Sequence, residues 1–165
     1  MKRPRWRILL PVALLVTVLA PVLRVFPGGG WLPDPWLLLL LWAVPGWDFF
    51  PARRGAVLAL LLGGLRASVS AVSPFACWAG LGLALPVRRE AYRRLTEDRF
   101  AARFAVGFLA ALPLSVLDLR AAAGIGSSLP GIEVAVRAAG VGFLWALAGH
   151  PASWRAGEAG EVPAA

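Results

Sequence analysis

Six apolar stretches run along this 165-residue chain, and the connections between them are alternately rich and poor in arginine. The rich connections are residues 1–7, 53–54 and 88–103, and the poor ones lie near residues 24–35, 66–73 and 118–132. Only 16% of the residues are charged, whereas soluble domains carry about 25%. Since cytoplasmic loops of membrane proteins retain Lys and Arg, the alternation predicts a multi-span membrane protein and fixes its orientation.

The predicted fold is an all-α integral membrane protein, a bundle of six transmembrane helices with the N and C termini cytoplasmic. The predicted spans are residues 8–26, 36–50, 55–72, 74–87, 101–117 and 131–149, and together they make one membrane domain over residues 1–150. The first span is expected to stay uncleaved, because its apolar run is longer than that of a signal peptide. The third and fourth spans form either a tilted pair or a re-entrant hairpin. The tail over residues 151–165 is expected to be disordered and cytoplasmic.

The positive charge is explained by topology rather than by nucleic acid. The formal net charge is +8, yet on this map only Arg24, Arg66, Arg120 and Arg137 lie toward the outside, which leaves 13 of the 17 basic residues on the cytoplasmic side. That bias accounts for the charge without a polyanionic partner. We therefore expect no nucleic-acid partner.

Few residues are suited to catalysis or metal binding. The chain has one cysteine, Cys77, and one histidine, His150, so a His/Cys metal site is not expected. The serines lack the usual kind of base. We expect a non-enzymatic protein with no cofactor and no metal.

Four ionisable residues are expected within the outer third of the membrane, namely Arg66, Asp118, Glu133 and Arg137. Their depths follow from a helical rise of about 1.5 Å per residue, and Glu133 and Arg137 form an i,i+4 pair in the favourable order. One interpretation is snorkelling to the interface together with a local ion pair. The other is a polar notch that receives a partner or a small ligand. A catalytic site built on the two carboxylates is a third.

The basic segment also has two interpretations. Arg88, Arg89, Arg93 and Arg94 either attract anionic lipid headgroups or dock a cytoplasmic protein with an acidic face. We favour the headgroups.

Small residues recur at helical spacing in the third and sixth spans, where they serve either packing within the chain or docking of a partner helix. They are Gly55, Ala59 and Gly63, Ala135 and Ala139, and Ala138, Gly142 and Ala146.

Two local patterns resemble those of a known family. The first is Pro33-Asp34-Pro35-Trp36 followed by the leucine run 37–41, and the second is Arg53-Arg54-Gly55 followed by the Gly- and Leu-rich stretch 56–65. Together with the size and the six spans, they resemble the rod shape-determining protein MreD family. In that family an acidic residue often lies near the end of the third span, where this chain has Arg66.

The resemblance implies a non-enzymatic subunit of the bacterial cell-elongation machinery, which makes peptidoglycan, in the inner membrane. Such a subunit binds the bitopic protein MreC and regulates the synthase pair of RodA and its transpeptidase. Its fold resembles the substrate-binding S component of energy-coupling-factor vitamin transporters, and an S component is the alternative function. The expected partner or ligand contacts are Pro33 and Asp34 in the outer loop together with Arg66, Asp118, Glu133 and Arg137.

Overall fold

A computed structural model describes residues 6–26, 31–44, 52–95, 100–124, 126 and 131–148. This part of the chain contains six helices and no strand. They are α1 (Trp6–Val25), α2 (Pro35–Ala43), α3 (Ala52–Ser68), α4 (Pro74–Arg94), α5 (Phe100–Gly124) and α6 (Gly131–Ala148). The all-α prediction is confirmed. The predicted tail over residues 151–165 lies outside the described residues.

Three of the helices have the length and apolar composition needed to cross a membrane. They are Ile8–Val25 in α1, Phe100–Gly124 in α5 and Gly131–Ala148 in α6, and a shorter apolar helix covers Gly55–Ser68. Large apolar side chains such as Leu14, Leu15 and Val18 are exposed on the outside of α1. Such surfaces are costly in water and suited to lipid, so the chain is a helical membrane protein.

Helix α2 lies at the centre of the bundle. It packs against α1, α3, α4 and α6, and its side chains Trp36, Leu37, Leu40 and Leu41 are at most 1% exposed. A helix that is apolar on all sides is stable only when other elements cover it. At about 1.5 Å per residue, its nine residues extend about 14 Å, which is less than half of a bilayer core of about 30 Å.

Several helix ends differ from the predicted span ends. Helix α2 ends at Ala43, and the next residue, Val44, is extended, with φ −112° and ψ 104°. The cause is Pro45, because a residue before proline is sterically disfavoured in the helical region. Residues 45–50 of the predicted second span lie outside the described residues. Conversely, α4 continues past residue 87 to Arg94, and α5 continues past residue 117 to Gly124. The first basic residues of segment 88–103 therefore belong to α4.

The contacts show that the six helices alternate in direction. At one end, which we call the Arg66 end, the last two turns of α1, α3 and α5 meet the first two turns of α2, α4 and α6. The residues that meet there are Arg24, Asp34, Arg66, Cys77, Asp118 and Arg137. At the other end, which we call the Arg88 end, Arg88 of α4 contacts the last turn of α2 and Trp145 of α6.

Helices α5 and α6 approach each other closely because glycines face each other. A Cβ on Gly142 would lie 2.8 Å from the carbonyl oxygen of Phe104, and one on Gly107 would lie 2.9 Å from Cβ of Trp145. Ala138 and Ala146, on the same stripe of α6 as Gly142, are 1% and 2% exposed. This stripe of small residues therefore serves packing within the chain, as one of the two interpretations predicted.

Candidate functional site

Asp34 starts the central helix. Its Oδ1 accepts a hydrogen bond from the backbone N–H of Leu37 at 3.0 Å, and Pro35 occupies the first helical position. An aspartate N-cap satisfies one of the orphan backbone donors of a helix, and proline there lacks a donor that would otherwise need a partner. The pattern Asp34-Pro35 followed by leucines is therefore a helix-start signal that leaves Oδ2 of Asp34 free to bind another group.

Arg66 of α3 binds that second oxygen. Its side chain is 2% exposed. Nε donates to Oδ2 of Asp34 at 2.7 Å, and Nη2 donates to Oδ2 of Asp118 on α5 at 2.5 Å. Nη1 donates to Sγ of Cys77 on α4 at 3.1 Å. One guanidinium thus connects α3 to the start of α2, to α4 and to α5.

The three ionised groups Asp34, Arg66 and Asp118, which we call the ion triad, are stable in the interior only as a set. Both carboxylate side chains are 12% exposed. Taking a charge out of water costs several kcal/mol unless it is paired and hydrogen-bonded, and removing one partner of a buried pair costs about 3–5 kcal/mol. The fork of donors on arginine serves two carboxylates at once, which lysine cannot do with the same geometry. The ion triad therefore holds the Arg66 end together.

Arg137 and Glu133 form a second ion pair nearby. The two residues lie one turn apart on α6, and Nη2 of Arg137 donates to Oε1 of Glu133 at 2.5 Å. Their side chains are 22% and 15% exposed. Of the four charges expected in the outer third, the structure thus joins Arg66 to Asp118 and Arg137 to Glu133. Their predicted role in binding a partner or a ligand stays a prediction.

Two members of the Arg66 end were missed or misassigned by the sequence analysis. Asp34 was expected in the outer loop as a contact for a partner or a ligand, and its pairing with Arg66 was not predicted. Arg24, at the end of α1, lies over the Trp36 ring, 5.6 Å from its centroid, and Nε1 of Trp36 donates to Oγ1 of Thr17 at 3.1 Å. The helix-start pattern at Asp34 was the available signal, because it places a carboxylate beside a buried helix, where a cation must accompany it.

Pro33 lies against α6. A Cβ on Gly140 would be 3.4 Å from Cβ of Pro33. This contact holds the chain against α6 just before the Asp34 cap. The predicted role of Pro33 in binding a partner or a ligand stays a prediction.

Two adjoining cavities border the ion triad. The larger, of about 270 Å³, is partly open and is bordered by Arg24, Arg66, Ser70, Asp118 and Arg137, with small apolar side chains between them. The smaller, of about 20 Å³, shares Arg24, Asp118 and Arg137 with it and reaches Leu37 and Val141. We call the two together the polar cleft. The inner part has room for about one water molecule, whereas the outer part approaches the size of a small-ligand site.

The Arg88 end contains a second buried arginine. Arg88 is 2% exposed. Its Nη1 donates to the carbonyl oxygen of Leu41 at 2.7 Å and to that of Val44, and its guanidinium lies 4.6 Å from the centroid of the Trp145 ring. The last carbonyls of a helix have no partner within it, so Arg88 caps the C-terminal end of α2 as Asp34 caps its start.

The prediction that Arg88 attracts lipid headgroups is therefore wrong. Its guanidinium is buried against α2 and Trp145, so a headgroup cannot reach it. The prediction stays open for Arg89, Arg93 and Arg94. The side chains of Arg93 and Arg94 are 70% and 78% exposed and contact Glu90 at 3.5 and 2.8 Å. The hydrogen bond from Arg94 holds the pKa of Glu90 below its ordinary value.

Within the described ranges, no group of three or more His, Cys, Asp or Glu side chains is arranged to hold a metal ion. Comparison of the chain with models of protein families, with curated proteins and with solved structures found no significant match.

Proposed function

We propose that this chain is a non-enzymatic scaffold and regulatory subunit of the bacterial cell-elongation machinery, similar to the MreD family. In this proposal it is a multi-pass protein of the inner membrane with six spans and both termini in the cytoplasm. Its partners are an MreC-like bitopic protein and a RodA-type glycosyltransferase with its transpeptidase. Its fold is that of the S components, and Arg89, Arg93 and Arg94 face anionic headgroups.

One observation carries the proposal: the two segments on which the resemblance rests come together in the fold. Asp34, from the first segment, is bound by Arg66, which directly follows the second. The first segment forms the central helix, and the second lies in α3 beside it. Both patterns therefore have a shared structural reason, which is the assembly of the Arg66 end. Repeated leucines alone would not require this contact.

The chemistry of the site also favours a scaffold. Arg66 is bonded to two carboxylates and a thiol, and Asp34 is bonded to both Arg66 and the backbone of α2. Groups engaged in this way fix the positions of helices, which is what a protein that acts through its helix surfaces needs. The expected contacts of Pro33, Asp34, Arg66, Asp118, Glu133 and Arg137 with a partner would then be indirect for the buried members.

The experiment is co-purification. The tagged full chain is co-expressed with an MreC-like bitopic protein from the same genome and purified in a mild detergent. We expect the partner to be retained in a constant ratio through size-exclusion chromatography. An unrelated single-span protein expressed at the same level is the matched control and should be lost. Loss of the MreC-like protein, or equal retention of both, would contradict the proposal.

A further inference from the structure

The polar cleft contains two groups whose hydrogen-bonding capacity is not used. Oδ1 of Asp118 is buried and accepts no hydrogen bond in the described part of the chain. Arg24 contacts the Trp36 ring, but among the described residues its guanidinium makes no hydrogen bond or ion pair. Both residues border both parts of the cleft. A buried acceptor without a donor costs about 1–3 kcal/mol, so the cleft favours a molecule that supplies one.

The charges around the cleft decide which kind of molecule fits. Three arginines (Arg24, Arg66, Arg137) and three carboxylates (Asp34, Asp118, Glu133) lie at this end of the bundle, so their formal charges sum to zero. A ligand with a net charge would leave that charge uncompensated in a poorly solvated place. A zwitterion keeps the balance, since its anion faces Arg24 and its cation donates to Oδ1 of Asp118.

We infer that the polar cleft binds a zwitterionic group in which a phosphate or carboxylate lies next to an ammonium. The cleft's larger part, about 270 Å³, suits a headgroup-sized molecule rather than a drug-sized one. The phosphoethanolamine head of a membrane lipid and free glycerophosphoethanolamine share this chemistry, because in both a phosphodiester with one negative charge lies next to one ammonium. Arg24 at the end of α1 binds the anion, and Asp118 binds the ammonium. This site goes beyond the scaffold function and does not require a protein partner.

The test uses the purified full chain in a mild detergent. Short-chain phosphatidylethanolamine, phosphatidylglycerol with the same chains, and water-soluble glycerophosphoethanolamine are titrated, and bound molecules are counted by native mass spectrometry. We expect phosphatidylethanolamine to bind about tenfold more tightly than phosphatidylglycerol, because the ammonium gains a charge-assisted hydrogen bond. Binding of the soluble compound as well would identify a free zwitterion as an occupant, and binding of the lipid alone would identify a headgroup. Binding of neither would overturn the inference.

Variants separate a specific site from surface attraction. R24Q breaks no ion pair between described residues, so it should fold and lose about tenfold in affinity for the zwitterion. D118N should abolish the preference for phosphatidylethanolamine over phosphatidylglycerol. The matched control is R120Q, because Arg120 is an exposed arginine on the same helix as Asp118 and only two residues away. Equal weakening by R24Q and R120Q, or no weakening by R24Q, would overturn the inference.

Discussion

Among the described residues, two arginines are buried, and they lie at opposite ends of the same short helix and are held in different ways. At the Arg66 end, the guanidinium binds two carboxylates that come from distant parts of the chain. At the Arg88 end, it binds the carbonyl oxygen of Leu41 in α2 and that of Val44 just after the helix, and it lies against the ring of Trp145. Both are 2% exposed. Burial of an arginine therefore does not by itself reveal whether its role is to balance charge or to cap a helix.

The two arginines also differ in which groups lose a partner when the arginine is substituted. At the Arg66 end, two buried carboxylates would lose their cation, and like charges would face each other. At the Arg88 end, the carbonyl oxygens of Leu41 and Val44 would lose this donor, and the ring of Trp145 would lose its contact with the guanidinium. Loss of Arg66 leaves two carboxylates without their cation, whereas loss of Arg88 takes a donor from two carbonyls at the end of α2. The free energies of unfolding should therefore respond differently to matched substitutions.

The largest effect is expected from R66M. Methionine fills part of the volume but leaves Asp34 and Asp118 without their cation, so stability should fall by about 3–5 kcal/mol. The measurement is the unfolding midpoint in detergent, followed by size-exclusion chromatography with fluorescence detection. The comparison variant is the triple replacement D34N/R66M/D118N, which removes all three charges together. It should be more stable than R66M alone, and a triple variant as unstable as R66M would contradict a charge-balancing role.

The two carboxylates of the ion triad should also be unequal. Asp34 both pairs with Arg66 and caps α2, whereas Asp118 pairs with Arg66 and caps nothing in the described structure. D34A should therefore cost about 1 kcal/mol more than D118A, the usual value of an N-cap. D34N is the matched variant, because asparagine caps a helix as well as aspartate does. The stability lost in D34N should therefore equal the stability lost in D118N. Equal losses for D34A and D34N would show that the cap contributes nothing.

A smaller effect is expected at the Arg88 end. R88M leaves the carbonyls of Leu41 and Val44 without this donor, which should cost about 1–3 kcal/mol. R88K restores a donor and a charge but not the planar contact with Trp145, so it should recover part of the loss. The same detergent unfolding assay applies. A loss for R88M as large as that for R66M would remove the distinction between the two ends.

The helices could be predicted from the sequence more completely than the contacts between them. Six apolar runs predicted six helices because helical membrane proteins satisfy their backbone within each run, although the second predicted span extends past the end of α2 at Ala43. The pairing of Asp34 with Arg66 was not predicted, because it spans 32 residues and depends on how α2 and α3 pack. Arg66 and Asp118 were correctly expected at similar depths, since the rise per residue along a helix is nearly fixed.

The burial of Arg88 could have been predicted from its position in the helical pattern of α4, although its charge indicated a surface residue. Leu81, Ala84, Arg88 and Ala91 follow one another at intervals of three and four residues, and all are buried on the same face of α4. That spacing is typical of the core-facing side of a helix. In a run of arginines, helical phase therefore separates the buried member from its exposed neighbours, whereas counting charges assigns all of them to the membrane surface.

The smallest effect is expected where the charges are exposed, and it completes the comparison. Glu90 and Arg94 make a surface pair on α4, and such pairs contribute little because water and salt screen them. The hydrogen bond from Arg94 lowers the folded pKa of Glu90, so its contribution is present above the unfolded pKa and is lost as the pH falls through the folded pKa.

E90Q should therefore leave the unfolding midpoint at neutral pH nearly unchanged. The slight difference between E90Q and the wild-type chain should vanish on acidification. It should also vanish in 1 M salt, where the screening length is about 3 Å. R66M, measured beside it, should keep its full loss in the same salt, because the ion triad is buried. A salt-dependent loss in R66M would show that the ion triad is open to solvent ions and that the two buried arginines differ less than their contacts indicate.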